Sequence, residues 1–141
     1  MDFKYLEHTA DLKIQASGKT LKQAFSNAAK GMFNAMVKLE DIKPIKKQFI
    51  NIESESIESL FFDYISKLLF LQDAESMLYS KFIIKSLRRN DKGWYLEADI
   101  YGEKFDEKLH TPETMIKAMT YNELKIEKKG KYRIITFLLD I

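Results

Sequence analysis

Few side chains in this sequence are equipped for chemistry, and the best placed of them stand near its two ends. His8-Thr9-Ala10-Asp11 lies near the start, and the last two residues are Asp140-Ile141. The run before Asp140, from Ile134 to Leu139, is apolar at all but Thr136, as in a central strand covered on both faces. An aspartate that closes such a strand sits at a sheet end, held rather than trailing, beside the α-carboxylate. If the fold brings Asp11 to the same place, three carboxylates converge, and that much negative charge needs a cation. Calcium takes about six to eight oxygens, so two or three protein carboxylates leave positions for water or a partner's groups. Without that convergence, Asp11 reads as a turn residue and Asp140 as a solvated terminus.

Other chemistries are largely excluded by what the chain lacks. It has no cysteine, so disulfides, zinc–thiolate sites and thiol catalysis are out. His8 and His110 are its only histidines, which rules out a histidine-rich metal site. A metal site must then be built from oxygen ligands, which suits calcium or magnesium. No serine or threonine stands in a nucleophile-elbow context, and the five glycines form neither GxGxxG nor a phosphate loop. A net charge of +2 is far from the basic stripe of a phosphate-reading protein. Two lysine clusters remain, at Lys43, Lys46 and Lys47 and at Lys125, Lys128, Lys129 and Lys131. Each reads as a solvated face, the second also as a guard against strand-edge pairing, with a weak RNA contact as the alternative.

The elements that must position these residues are those of one domain, residues 1–141. Alternation at Phe3–Tyr5 and Leu12–Ala16 predicts two strands, broken by Gly18. Thr20, with Gln23 three residues on, predicts a capping box. A first helix follows over Leu21–Val37, with Ala24, Ala28 and Ala29 allowing close approach to a sheet. Ile45–Ile52 predicts a strand, and a second helix starts near Ser56 and carries an apolar stripe to Leu71. Two hairpins complete the chain: Phe82–Leu87 with Trp94–Tyr101, and Lys117–Glu127 with Tyr132–Asp140. A short helical piece is expected at Glu113–Ile116. The order predicts an α+β fold, a mostly antiparallel sheet with two main helices packed on it. No stretch approaches the ~20 apolar residues of a membrane span, and Met1-Asp2-Phe3-Lys4 lacks a signal-peptide layout. A soluble, cytoplasmic chain is expected.

Several segments together resemble the archease family: Tyr5-Leu6-Glu7-His8-Thr9-Ala10-Asp11, Ala16-x-Gly18, and Leu21-x-x-Ala24-Phe25-x-x-Ala28-Ala29 at the start. Glu58-Ser59-Leu60-Phe61-Phe62-Asp63-Tyr64-Ile65 fits in the middle. Gly102-Glu103, His110, Ile116-Lys117-Ala118-Met119-Thr120-Tyr121 and Leu139-Asp140-Ile141 fit at the end. The likeness runs the length of the chain with the motifs in order. Met119 is the one departure, standing where a β-branched residue is common.

The resemblance implies a non-enzymatic accessory protein of the GTP-dependent RNA ligase that joins tRNA halves after intron removal. Such proteins promote guanylylation of the ligase's catalytic histidine and give it multiple turnovers. It further implies that Asp11 and Asp140 bind a divalent cation, calcium or magnesium, with the terminal carboxylate of Ile141 as third ligand. His8, His110 and Lys117 then act in the site or support it. Two other readings compete. One is a metal-dependent hydrolase built on Asp11, Asp140 and His8. The other is a small RNA-binding module using the lysine clusters with Tyr101, Tyr121 or Tyr132.

Overall fold

Where the strands pair decides where the two aspartates go. The computed structural model describes residues 2–141. In chain order it contains β1 (Phe3–Leu6), β2 (Asp11–Gly18), α1 (Leu21–Met36), β3 (Lys46–Ser54), α2 (Ile57–Glu75), β4 (Met77–Asn90), β5 (Gly93–Lys104), β6 (Ala118–Lys129) and β7 (Tyr132–Asp140). A single 3-10 turn, Leu39–Asp41, lies between α1 and β3. The fold is α+β and every strand pairing is antiparallel. The strands divide between two sheets: four in the order β1-β2-β7-β6, and three in the order β3-β5-β4. Each helix touches both, α1 packing on β2 and β4, α2 on β6 and β3.

Local chemistry explains the helix starts. The Thr20 hydroxyl accepts the Gln23 amide at 3.1 Å, capping α1 as its spacing predicts. The return arm differs: the Gln23 side chain takes the amide of Lys19, not that of Thr20. At α2 the capping box is complete between Ser56 and Ser59. α2 ends at Ser76, whose left-handed backbone (φ 54°) lets β4 begin at once. The inner faces of helices and sheets meet in one aromatic core, where Phe61 packs edge-on against both Phe25 of α1 and Phe137 of β7. An aromatic pair of this kind adds about 0.5–1.5 kcal/mol beyond the area it buries.

Glu113–Ile116 is not helical. Its backbone is engaged elsewhere, because the Glu113 and Thr114 amides donate to the carbonyls of Met36 and Ala35. Those carbonyls belong to the last turn of α1 and have no partner within the helix. The segment therefore seals the end of α1 instead of forming a turn of its own. Both hairpins turn tightly. Gly130 opens the β6–β7 turn at φ +60°, a conformation that any Cβ would strain. Gly93 follows the other turn, where a Cβ would strike the Ser54 carbonyl oxygen. Among the described residues, no helix is long and apolar enough to cross a membrane.

Candidate metal centre

β7 is an interior strand of the four-stranded sheet, as its largely apolar run predicts. Residues Ile135 to Leu139 are all buried. Its neighbour β2 aligns so that Asp11 and Asp140 are direct cross-strand partners. On β2, Ile14 and Ala16 face the core, which turns Asp11, Lys13 and Gln15 to the other side. On β7, Ile135, Phe137 and Leu139 face the core, which turns Asp140 to the same side as Asp11. Directly opposed residues have Cβ atoms about 4.5–5.5 Å apart. The register therefore brings Asp11 and Asp140 together.

Two carboxylates so placed repel each other, and the structure supplies little to offset them. Among the described residues, His8 is the one basic side chain within 4.0 Å of Asp11, with Nδ1 3.9 Å from a carboxylate oxygen, beyond hydrogen-bond reach. Its Nε2 instead bonds Glu123 at 2.8 Å. Lys13, two residues from Asp11, donates to the other oxygen of Glu123 at 2.9 Å. These bonds, Lys13 first and His8 second, hold the Glu123 carboxyl below the usual glutamate range. Because β7 lies between β2 and β6, the Lys13–Glu123 pair crosses above it at Leu138, the partner of Lys13. That bridge accounts for an outward-facing leucine being only 2% exposed.

Glu123 reaches this position through an irregularity. Between Thr120 and Lys125 the β6 register jumps, and Glu123 itself has a left-handed backbone (φ 59°). Sequence reasoning missed both Glu123 and Lys13. Nothing in the residue types marks the bulge, since a glutamate rarely takes a positive φ.

Of the remaining predicted site residues, Lys117 lies beside Asp140. Its amide donates to the Asp140 carbonyl at 2.7 Å, and the next residue, Ala118, is Asp140's cross-strand partner on β6. Asp140 is thus fixed from both sides, by β2 and β6. Ile141 follows it, 44% exposed. His110 has different company. It is buried in the loop after β5, where Nε2 bonds Glu103 at 2.9 Å and Nδ1 accepts the Asp106 amide at 2.9 Å. Neither aspartate is among its partners.

Among the described residues, no three His, Asp or Glu side chains are disposed to enclose a metal ion. What the register does provide is a pair of carboxylates on one face, an all-oxygen donor set with His8 beside one of its members. That set fits a hard divalent cation held at an open site, with part of its coordination left to main-chain or outside oxygens.

The chain matches the model of the Archease protein family (MTH1598/TM1083) over residues 3–141. It belongs to the archease family. Protein archease of Sulfurisphaera tokodaii is 42% identical over 139 residues, covering 99% of this chain and 98% of that one. Protein archease of Methanosarcina mazei is 37% identical over 126 residues, covering 89% and 86%. The solution structure of Methanobacterium thermoautotrophicum protein 1598 superposes with a TM-score of 0.87 at 30% identity, covering 99% of both chains. The crystal structure of a Thermotoga maritima archease, described as a possible chaperone, gives a TM-score of 0.59 at 21% identity. It covers 98% of this chain and 96% of that one, and it speaks to the archease fold alone.

Proposed function

We propose that this chain is an accessory protein of the GTP-dependent RNA ligase of tRNA splicing. In this reading it acts in the cytoplasm, promotes guanylylation of the ligase's catalytic histidine and supports multiple turnover. Asp11 and Asp140 hold a divalent cation, calcium or magnesium, and a main-chain oxygen of Ile141 is the third donor. The observation that carries this reading is the direct pairing of Asp11 with Asp140 across β2 and β7. Membership of the archease family supports the accessory role.

Two opposed carboxylates destabilise a ladder unless something neutralises them. Here the adjacent cation, Lys13, is engaged with Glu123 and with neither aspartate. The sheet holds both oxygens rigidly at its end, and the Lys117 amide fixes Asp140 from the other side. When bound, a divalent cation supplies charge neutralisation for nucleotidyl transfer, where positioning and electrostatics dominate catalysis. His8, tethered to Glu123, orients the rim beside Asp11.

The test is ligase guanylylation with labelled GTP in the presence of the wild-type chain, Asp11→Ala or Asp140→Ala. Stimulation should fall roughly tenfold or more in each variant, the usual cost of disturbing a metal site. Full stimulation by both would sink the proposal. A second readout needs no ligase: calcium or magnesium should raise the melting temperature of the wild type and of neither variant.

A further inference from the structure

We propose that the groove at the Gly18 end of the four-stranded sheet binds the phosphate backbone of a single-stranded polynucleotide. Such binding requires neither the ligase nor the cation. The groove encloses about 940 Å³ and runs from the β6–β7 hairpin past β2 to α1. Four lysines line it, each from a different part of the chain: Lys4 of β1, Lys19 before α1, Lys30 of α1 and Lys129 of β6. Asp2 is the only acid among the lining residues. The sequence shows only the fragment Lys128-Lys129-Gly130-Lys131; the fold adds the rest.

These cations are available. Among the described residues, none of the four pairs with a carboxylate within 4.0 Å, whereas Lys13, Lys47 and Lys85 all do. The groove floor is held in place by hydrogen bonds. Asn27, 9% exposed, donates to the Ser17 carbonyl at 2.7 Å, and Gln15 donates to Thr136 at 3.1 Å. Tyr132, 49% exposed, offers an aromatic face at one wall for a base to stack on.

The charge pattern selects a polymer over a small phosphate. No arginine lines the groove and no glycine loop cradles it, so no planar, bidentate phosphate clamp is present. Lysines spread along an open groove are point charges on flexible stems, suited to successive phosphates of one strand. A rival basic surface is less suited. On the outer side of the three-stranded sheet, Lys47 and Lys85 are already drawn to Asp99, at 3.6 and 3.7 Å.

The groove lies toward the end of the β2–β7 ladder away from the aspartate pair. Four residue steps separate Asp11 from Gln15, the lining residue of β2 nearest to it, about 14 Å at the usual rise, and seven separate it from Gly18. A strand held at the lysine end is therefore kept clear of the carboxylates that would repel it.

The experiment is fluorescence anisotropy with a labelled oligouridylate of about 12 nucleotides, on the full chain in EDTA at roughly 50 mM salt. The wild type should bind. The triple variant Lys19→Gln/Lys30→Gln/Lys129→Gln should weaken binding roughly tenfold or more and flatten the plot of log affinity against log salt by about two, at ~0.7 per phosphate lost. The corresponding Lys→Arg triple should retain binding, which separates charge loss from misfolding, as does an unchanged melting curve. Lys47→Gln/Lys81→Gln should stay within about twofold of wild type. The proposal is overturned by absent binding, by an unaffected Lys→Gln triple, or by an equal loss in the Lys47/Lys81 control. Displacement by millimolar inorganic phosphate or uridine monophosphate would also overturn it, showing a small-phosphate pocket. So would capture by phosphatidylserine vesicles without any binding of the oligonucleotide.

Discussion

His8 and His110 each bond a glutamate at almost the same distance, 2.8 and 2.9 Å, and the two pairs serve opposite ends. His110 is sealed in the loop after β5, with both ring nitrogens engaged and the Phe105 ring tilted against it. Its Nδ1 accepts a backbone amide, so Nε2 carries the proton donated to Glu103. His8 stands at an open rim, its side chain 28% exposed, between Asp11 and a glutamate that also holds Lys13. The same pair of residue types latches a loop in one place and edges a charged site in the other. Burial decides which, because an unpartnered polar group is costly only where water cannot replace the lost partner.

The largest effect is expected from His110→Ala. It strands the Glu103 carboxylate and the Asp106 amide, so stability should drop by about 3 kcal/mol in urea denaturation. A loss under about 1 kcal/mol would show that the loop is anchored by something else.

Acid should then separate the two glutamates. Burial pushes the Glu103 carboxyl up, but hydrogen bonds from the Lys43 amide and His110 pull it further down, below its ordinary 4.5. A carboxyl depressed in the fold contributes stability that is complete above the ordinary value and lost as pH falls through the depressed one. Glu103→Gln should therefore be less stable than wild type at pH 7 and lose less on acidification below about 4.5. Glu123, depressed by Lys13 and His8, has the same sign, but water screens it, so Glu123→Gln should flatten the acid limb less. An equal flattening by both would erase the distinction drawn between rim and interior.

His8→Ala should move the melting temperature by only about 2 °C or less, which differential scanning calorimetry can resolve. The smallest effect has the opposite sign. In EDTA, Asp140→Asn removes one of two opposed charges and should raise stability by about 0.2–1 kcal/mol. Destabilisation there would mean the aspartates are not in mutual repulsion.

Helix starts were legible in the sequence because capping is local: Thr20 and Ser56 announce themselves within four residues. So was the interior position of β7, since only a doubly covered strand tolerates Ile134–Leu139. The pairing of Asp11 with Asp140 could be posed from the sequence but needed the fold to decide it, because register depends on both strands and their neighbours. The start of β4 at Met77 was hidden because only Ser76 separates it from α2, with no glycine or proline as punctuation. The division into two sheets was hidden for a related reason. Alternation marks a strand, but not which strand it joins. Glu123 was invisible because it arrives through a bulge, and the lysine groove because its members are scattered from Lys4 to Lys129.

The ladder that joins Asp140 to both neighbours also makes β7 a counted length. Nine residues run from Tyr132, just after the turn, to Asp140, and side chains alternate with every step. One residue added within that count would point Asp140 into the aromatic core and turn Leu139 toward solvent. Two would restore the facing but move the carboxylate a full repeat past Asp11. The position of the charge is thus written as a parity and a distance along one strand, so insertions and deletions in β7 should be far more damaging than substitutions on its outward face.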